Sequence, residues 1–275
     1  MSTLIVDADM VMFRSLTATT LEVCLDDCSE TWVYASDLGK AQDEYERMMW
    51  GFCEIADCAR GDVIECFSSS SAYRRSIYPD YKKNRAGRQK PPGFKAFKSQ
   101  LLNGPNCYIY EQIEADDVMG IFATWPGVED PIIATADKDL LQIPGRHLWI
   151  ATDNVPASEP GRTITLQDNH VLQYISPEWA TRHFYTQALT GDTTDGIPGC
   201  PGVGPKRAAT ALKEKDTDLD YWEAVIRQYE KAFPDVSHAS EQALRMARLV
   251  RILRYGEYDF DTHRVNPWQP PALKM

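Results

Sequence analysis

The segment CYIYEQIEADDVMGIFATWPGVEDPIIATADKD, residues 107–139, decides the fold class of this 275-residue chain. It starts and ends with short apolar runs, CYIY at 107–110 and PIIATA at 131–136, which are typical of buried strands. Between them, four apolar residues recur at helical spacing and form one face: Val118, Ile121, Phe122 and Trp125. TLIV at 3–6 and DVIECF at 62–67 repeat the strand pattern. Strands that alternate with helices predict an α/β fold with a mostly parallel sheet.

Acidic residues follow the apolar elements of this pattern. Nine carboxylates fall into four short groups: Asp7 and Asp9; Glu114, Asp116 and Asp117; Asp137 and Asp139; Asp192 and Asp195. In one interpretation each group caps a helix, because acids in a first turn complement the helix dipole. In the other, the groups converge at the carboxyl ends of the strands and hold divalent cations. Two Mg²⁺ or Mn²⁺ ions can clamp the attacking and leaving oxygens of a phosphoryl displacement.

Basic residues are concentrated in one segment, although the net charge of the chain is −11. That net charge alone argues against a polyanionic partner. Between Arg74 and Lys98 there is one acid, Asp80, and nine basic residues: Arg74, Arg75, Lys82, Lys83, Arg85, Arg88, Lys90, Lys95 and Lys98. If residues 78–88 are helical, Tyr78 and Tyr81 align with the bases, so that rings stack on nucleotides and cations contact phosphates. The alternative is a solvated surface helix.

The segment GDTTDGIPGCPGVGPKRAA, residues 191–209, combines two acids with a glycine-proline loop and a basic helix start. We expect Gly202 and Gly204 to allow close approach of a ligand, and Lys206 and Arg207 to bind a phosphate beside the helix N-terminus. An ordinary helix-loop-helix corner is the alternative. The pattern is helical from about 184 to 255 and ends in a tail. HLWIATD and RTITLQD predict a hairpin.

Composition excludes several classes of protein. No apolar run approaches 18 residues, so we expect no membrane span. The N-terminus carries two acids before any basic residue, which argues against a secretory signal. Seven scattered cysteines favour a reducing compartment and no structural zinc. We expect a monomeric cytoplasmic protein, in the host cytoplasm if a phage encodes it.

Five motifs in order resemble the 5′–3′ exonuclease and flap endonuclease family, especially phage 5′ exonucleases and the 5′-nuclease domain of bacterial DNA polymerase I. The resemblance covers about residues 3–215. The motifs are LIVDADMVMFR, YRRSIYPDYKKNR, IEADDVMG, IIATADKDLLQI and LTGDTTDGIPGCPGVGPKRAA. The resemblance implies a Rossmann-like (PIN-like) nuclease region at 1–183, with a short helical arch at about 82–105. It further implies a helical DNA-binding region at 184–275, with a helix–three-turn–helix element at about 188–215.

The resemblance also implies roles for individual residues. Eight of the nine carboxylates, all except Asp9, would be ligands of two Mg²⁺ or Mn²⁺ ions, and the implied catalytic residues are Asp7, Lys82, Arg85 and Asp139. The implied DNA-binding residues are Arg14, Arg74, Tyr78, Tyr81, Lys82, Lys83, Arg85, Arg88, Gly202, Gly204, Lys206 and Arg207. Backbone carbonyls of the helix–three-turn–helix element would hold K⁺. The implied substrates are DNA with a free 5′ end, as a flap or a duplex, and RNA in RNA–DNA hybrids.

The chain departs from the family pattern in two places. The family usually has an aspartate just after its second strand, where this chain has CFSSSSAY with Ser68 nearest the expected position. We hypothesise that Asp9 compensates, because Asp7 and Asp9 point to the same side of an extended backbone. Only 28 residues separate Arg85 from Glu114, which predicts a short arch.

Three other functions compete with the nuclease. In a haloacid-dehalogenase-type phosphatase, LIVDADMV would carry Asp7 as a covalent nucleophile, but EADD and the basic segment would have no role. A non-catalytic DNA-structure binder would have lost a ligand at Ser68. A PIN-type ribonuclease shares the sheet and the acids, but it does not predict the glycine loop.

Overall fold

The structure, a computed structural model, describes residues 2–26, 31–150, 163–165 and 171–272. In these residues the central sheet has seven strands: β1 (Thr3–Asp7), β4 (Val63–Phe67), β5 (Cys107–Ile109), β6 (Pro131–Thr135), β7 (Gly145–Trp149), β8 (Thr163–Thr165) and β9 (Val171–Ile175). Two separate pairs are β2 (Thr20–Asp26) with β3 (Thr31–Ser36), and β10 (Tyr258–Asp259) with β11 (Arg264–Val265). The helices are α1 (Ala8–Ala18), α2 (Leu38–Ala56), α3 (Arg74–Ile77), α4 (Phe94–Leu101), α5 (Ala115–Ala123), α6 (Pro177–Thr190), α7 (Pro205–Ala211), α8 (Asp218–Ala232) and α9 (Val236–Val250). Within the described residues, no helix is both long and apolar enough to cross a membrane.

The strand order of the central sheet is β5-β4-β1-β6-β7-β9-β8. The first five strands are parallel, and β9 and β8 continue the sheet in antiparallel pairing. All four strands predicted from apolar runs are present, and they are the neighbours β5, β4, β1 and β6. The prediction of a mostly parallel α/β fold is therefore confirmed. Parallel neighbours bring the ends of β1 and β6, with the acids that follow them, to the same edge as the end of β4.

Helices cover both faces of the sheet, as the alternation of side chains along β1 requires. Leu4 and Val6 pack on one face with α1, α2 and α4. Ile5 packs on the other face with α5 and with Leu253. Gly120 lets α5 approach this C-terminal segment, since a Cβ there would lie 2.3 Å from the Leu253 carbonyl oxygen. The sheet thus fixes both α1 and α5, whose N-terminal turns carry acids.

A second core lies among α6, α7, α8 and α9. The predicted corner is present: α6 ends at Thr190, a loop follows, and α7 begins at Pro205. The loop folds back on α6 so closely that a Cβ on Gly199 would lie 2.4 Å from the Thr190 carbonyl carbon. Residues 264–275, predicted to be a tail, include Trp268, whose ring packs 5.2 Å from that of Phe184.

Several expectations about local structure are wrong. HLWIATD does not pair with RTITLQD, because β9 lies between β7 and β8; residues 151–162 and 166–170 are outside the described residues. Helix α6 begins at Pro177, so the expected boundary between 183 and 184 falls inside it. The hairpin of β2 and β3 was not predicted. Residues 82–105, expected to form a short helical arch, contain a 3-10 turn at Lys83–Arg85 and helix α4, whose Phe97 is fully buried in the core.

Candidate active site

Acidic side chains from β1, β6 and α5 meet at the carboxyl edge of the sheet. Asp7 ends β1, and its Oδ1 accepts a hydrogen bond of 3.1 Å from the Met10 amide in α1. Asp137 follows β6, and its Oδ1 accepts a bond of 2.9 Å from the Asp139 amide. Asp116 lies in the first turn of α5. The acids therefore converge at one edge, and Asp7 and Asp137 also cap local turns, while the binding of cations by these acids stays a prediction.

Four of these acids, here called the repelling acids, have a raised pKa because they are buried close to other carboxylates: Asp7, Asp116, Asp137 and Asp139. Burial raises the pKa of Asp7 to about 7, with further contributions from Asp9 and Asp137. Burial and Asp137 also raise the pKa of Asp139 to about 7. The pKa of Asp116 is raised by burial, then by Asp137 and Asp7, and that of Asp137 by burial and Asp195. Buried like charges of this kind favour protonation or a bound cation.

The other acids of the edge, here called the paired acids, have side-chain cations as partners. The Lys82 Nζ lies 2.6 Å from Glu114 Oε1 and 3.4 Å from Asp195 Oδ2, and Arg85 also donates to Asp195. Lys138 Nζ lies 2.9 Å from Asp192 Oδ2. Burial alone would raise the pKa of Glu114, but Arg74 and Lys82 lower it to about 2.

The donor set fits hard divalent cations, since it consists of buried carboxylate oxygens. Across the described ranges, however, no group of three or more acidic, histidine or cysteine side chains has the spacing that holds a metal ion. Lys82 and Lys138 lie against the acids instead. The carboxylates are therefore assembled at one edge, and metal binding requires local movement of side chains.

Asp117 does not lie with the metal-ligand candidates. It is fully buried, and its two oxygens accept from Arg74 at 2.6 and 2.7 Å. Its Oδ1 also accepts from the Leu253 amide at 3.2 Å. Adjacent helical residues point about 100° apart, so Asp116 and Asp117 cannot face the same point. Arg74, predicted to bind DNA, is 3% exposed and serves this buried pair instead.

The basic segment does not form the predicted helix over 78–88. Lys82 has a φ of 55°, and only a 3-10 turn at Lys83–Arg85 follows. Tyr81 is 3% exposed, and its hydroxyl donates to Glu114 at 2.6 Å and to Asp195 at 3.1 Å. The predicted base stacking by Tyr81 is therefore wrong for this conformation. Half-buried Tyr78 has its ring covered by the Arg245 guanidinium, at 5.0 Å from the centroid.

Asp9 lies in the first turn of α1 rather than in extended backbone beside Asp7. It is nevertheless adjacent to Ser68, whose amide donates to Asp9 Oδ2 at 2.7 Å. Its Oδ1 accepts from Lys98 Nζ at 2.8 Å. Asp7 and Asp9 do not share one side of an extended backbone, so this reason for the Asp9 hypothesis is wrong. Asp9 nevertheless lies next to Ser68, as the hypothesis requires.

The remaining predicted DNA-binding residues divide by exposure. Arg14 is half-buried, and its Nη1 donates to the Ile150 carbonyl at 2.8 Å. Exposed positions are Lys83, Arg88, Gly202, Gly204, Lys206 and Arg207. Arg207 Nη1 donates to the Gly202 carbonyl at 2.7 Å, which ties the start of α7 to the loop.

Sequence reasoning missed three side chains of this site. Lys138 bridges towards Asp192 and lies 3.6 Å from Asp139, and Gln187 donates to Asp139 Oδ1 at 2.6 Å. Lys98 contacts Asp9. Lys138 lies between the candidate ligands Asp137 and Asp139 in ADKD, residues 136–139, and this position could have predicted that Lys138 belongs to the site. No local pattern marked Gln187 or Lys98, whose partners are distant in the chain.

The family model described as "5′-3′ exonuclease, N-terminal resolvase-like domain" matches residues 2–173. The chain belongs to this family. Among its relatives, the exonuclease of Escherichia phage T7 is 25% identical over 298 residues, covering 97% of this chain and 93% of the relative. DNA polymerase I of Chloroflexus aurantiacus is 29% identical over 255 residues, covering 86% of this chain and 26% of the relative. The chain is a nuclease of this family, which removes the phosphatase alternative.

Solved structures agree with the fold. The phage T5 5′-exonuclease with zinc bound matches with a TM-score of 0.58 at 16% identity, over 91% of this chain and 89% of that chain. The phage T5 flap endonuclease in a complex with DNA and metal ions matches with a TM-score of 0.58 at 15% identity, over 91% and 89%. At these identities the likeness supports the fold.

Proposed function

We propose that this protein is a divalent-metal-dependent 5′–3′ exonuclease and flap endonuclease that hydrolyses DNA near free 5′ ends. RNA in RNA–DNA hybrids is a second proposed substrate. The observation that carries this proposal is the set of four repelling acids at one edge of the sheet, three of which have a pKa that another member of the set raises. Buried carboxylates of this kind need a counter-charge, and Mg²⁺ or Mn²⁺ supplies it.

The proposed ligands of two divalent ions are the repelling acids, Asp7, Asp116, Asp137 and Asp139. When bound, such ions activate water and stabilise the leaving oxygen of a phosphodiester. Lys82 and Arg85 lie at the same edge, where they contact Glu114 and Asp195. We propose that they exchange these partners for the scissile phosphate and stabilise its developing charge.

We propose that DNA lies along the exposed cations next to this edge. Lys83 and Arg88 are exposed in the basic segment, and Lys206 and Arg207 are exposed at the start of α7. Gly202 and Gly204 are exposed in the loop before α7, which supports contact with a backbone phosphate. Backbone carbonyls of this loop are the proposed K⁺ ligands. The proposed division is a nuclease region that extends to β9, a helical DNA-binding region that begins with α6, and a monomeric state.

A labelled-substrate assay tests the proposal. A 5′-flapped duplex, a blunt duplex, an RNA–DNA hybrid and a single-stranded RNA, each labelled at either end, are incubated with Mg²⁺, Mn²⁺ or EDTA. We expect metal-dependent products from the 5′ side with wild type and none with Asp139→Asn. Flap binding without cleavage would instead favour the non-catalytic binder, and cleavage restricted to single-stranded RNA would favour the PIN-type ribonuclease.

A further inference from the structure

Lys98 enters the acidic edge from a helix that the core holds in place. Phe97 and Leu101 of α4 are buried, which fixes the helix against the sheet. The Lys98 Nζ donates to Asp9 Oδ1 and to the Ser68 carbonyl, both at 2.8 Å, and lies 5.4 Å from the centroid of the Phe67 ring. Only 18% of the lysine side chain is exposed. The ammonium group is therefore built into the site.

Asp9 has both oxygens engaged in this arrangement. Oδ1 accepts from Lys98 and Oδ2 accepts from the Ser68 amide at 2.7 Å. The Ser68 Oγ in turn accepts a hydrogen bond of 3.0 Å from the Ala115 amide, and this bond connects the loop after β4 to the start of α5. Lys98 thus balances the charge of Asp9, and both oxygens of Asp9 already accept hydrogen bonds.

We propose that Lys98 is a positioning residue that occupies the place of a cation beside Asp9 and thereby limits how many divalent ions the acidic edge binds. This inference rests on the proposed function, because it concerns the same metal site. An ammonium group repels a nearby divalent ion and withholds Asp9 as a ligand. Removing the charge of Lys98 would free Asp9, whose neighbour Asp7 is a proposed ligand.

A comparison with Lys138, another lysine at the acidic edge, explains why we assign this role to Lys98. Lys138 also contacts an acid, Asp192, at 2.9 Å, but 56% of its side chain is exposed. It can move into solvent when an ion arrives. Lys98 cannot do so without leaving Asp9 and the Ser68 carbonyl unpaired in a mostly buried place, so its charge remains when metal binds.

Calorimetric titration with Ca²⁺ tests the inference without measuring cleavage. The variants are Lys98→Met, which keeps the apolar stem, and Lys98→Gln, which keeps a hydrogen-bond donor and covers the case in which Met destabilises the fold. Lys95→Met, on the exposed side of α4, is the matched control for loss of a positive charge. Asp9→Asn is made in the wild type and in both Lys98 variants.

We expect both Lys98 variants to bind one more Ca²⁺ ion, or to bind Ca²⁺ at least about tenfold more tightly. Ca²⁺ should also raise their melting temperatures more than that of wild type. Asp9→Asn should abolish this gain in the Lys98 variants. Asp9→Asn alone should bind Ca²⁺ no more tightly than wild type, because Lys98 keeps its charge, and Lys95→Met should behave as wild type.

Two results would overturn the inference. One is unchanged Ca²⁺ binding in both Lys98 variants. The other is the same gain in Lys98 variants that also carry Asp9→Asn, which would mean that Asp9 is not the ligand that the loss of the Lys98 charge releases. Failure of the proposed function has a different signature, because wild type would then neither bind Ca²⁺ nor cleave DNA. Ca²⁺ binding by the Lys98 variants, with and without Asp9→Asn, would still show whether Lys98 withholds Asp9 from a metal ion.

Discussion

The repelling acids and the paired acids lie at the same edge of the sheet but differ in how their charge is balanced. Asp7 and Asp139 have a pKa raised to about 7, since burial and neighbouring carboxylates disfavour ionisation. Glu114 has a pKa lowered to about 2, since Arg74 and Lys82 outweigh its burial. The paired acids are satisfied within the chain, whereas the repelling acids are destabilised until a cation binds. This difference separates groups that hold the site together from groups that we expect to bind metal.

The largest expected effect comes from removing a repelling acid. Asp139→Asn should lower the rate of DNA cleavage by at least about 100-fold, because a metal ligand is lost. The metal-free variant should also melt at a higher temperature than metal-free wild type, because one member of a like-charged group is gone. Single-turnover cleavage and thermal denaturation in EDTA measure the two effects. A less stable variant in EDTA would contradict the assignment of Asp139 to the repelling acids.

Removing an acid that forms a buried ion pair should have the opposite effect on stability. Asp117→Asn breaks a buried ion pair with Arg74, which typically costs about 3–5 kcal/mol. We expect the melting temperature to fall by roughly 10 °C, and Mg²⁺ should not restore it. Asp116→Asn, one position earlier in α5, is the matched control and should not destabilise the metal-free protein. Recovery of Asp117→Asn by Mg²⁺ would show that Asp117 is a metal ligand after all.

The pH dependence of stability distinguishes the same two groups. The folded-state pKa of Asp7 and Asp139 is about 7, above the ordinary value of 3.8, so the folded protein binds more protons than the unfolded chain between these values. Their contribution to stability is therefore present below pH 3.8 and is lost as the pH rises through 7. The lowered pKa of Glu114 gives stability that is present above its ordinary value of 4.5 and is lost as the pH falls towards 2.

Thermal denaturation in EDTA from pH 5 to pH 8 checks this prediction. We expect the melting temperature to fall by several degrees across this range, since each unit of pKa shift corresponds to about 1.4 kcal/mol. With saturating Mg²⁺ the trend should reverse, because metal competes with protons for the same oxygens. A melting temperature that does not depend on pH in EDTA would contradict the raised pKa values.

The sheet and the location of the site could be predicted from the sequence because both depend on local patterns. Apolar runs specify β1, β4, β5 and β6, and each acidic group directly follows an apolar element. Partners that are distant in the chain could not be predicted. Lys98 meets Asp9, 89 positions away, and Arg74 meets Asp117, 43 positions away. Such pairs are set by how α4 and α3 pack, and no spacing rule encodes that packing.

The basic segment was misjudged for a related physical reason. Its helical alignment required ordinary helical backbone through Lys82, but this residue has a φ of 55°. Its amide donates to the Asp195 carbonyl at 2.8 Å, so a contact with the distant loop before α7 fixes the turn. The same contact brings Lys82 and Arg85 to the acids, which a continuous surface helix would not do.

The smallest expected effect concerns cations that contact neither group of acids. Lys206 is exposed at the start of α7, beside the loop proposed to hold a backbone phosphate. Lys206→Gln should weaken DNA binding modestly and lower the magnitude of the slope of log K against log salt by about 0.9, the value for one phosphate contact. Cleavage at saturating DNA should stay close to wild type, because the acidic edge is intact. Lys231→Gln, at an exposed position late in α8, is the matched control. Equal slopes for both variants would place the DNA path away from α7, and the exposed cations Lys83 and Arg88 would then be the remaining contacts to test.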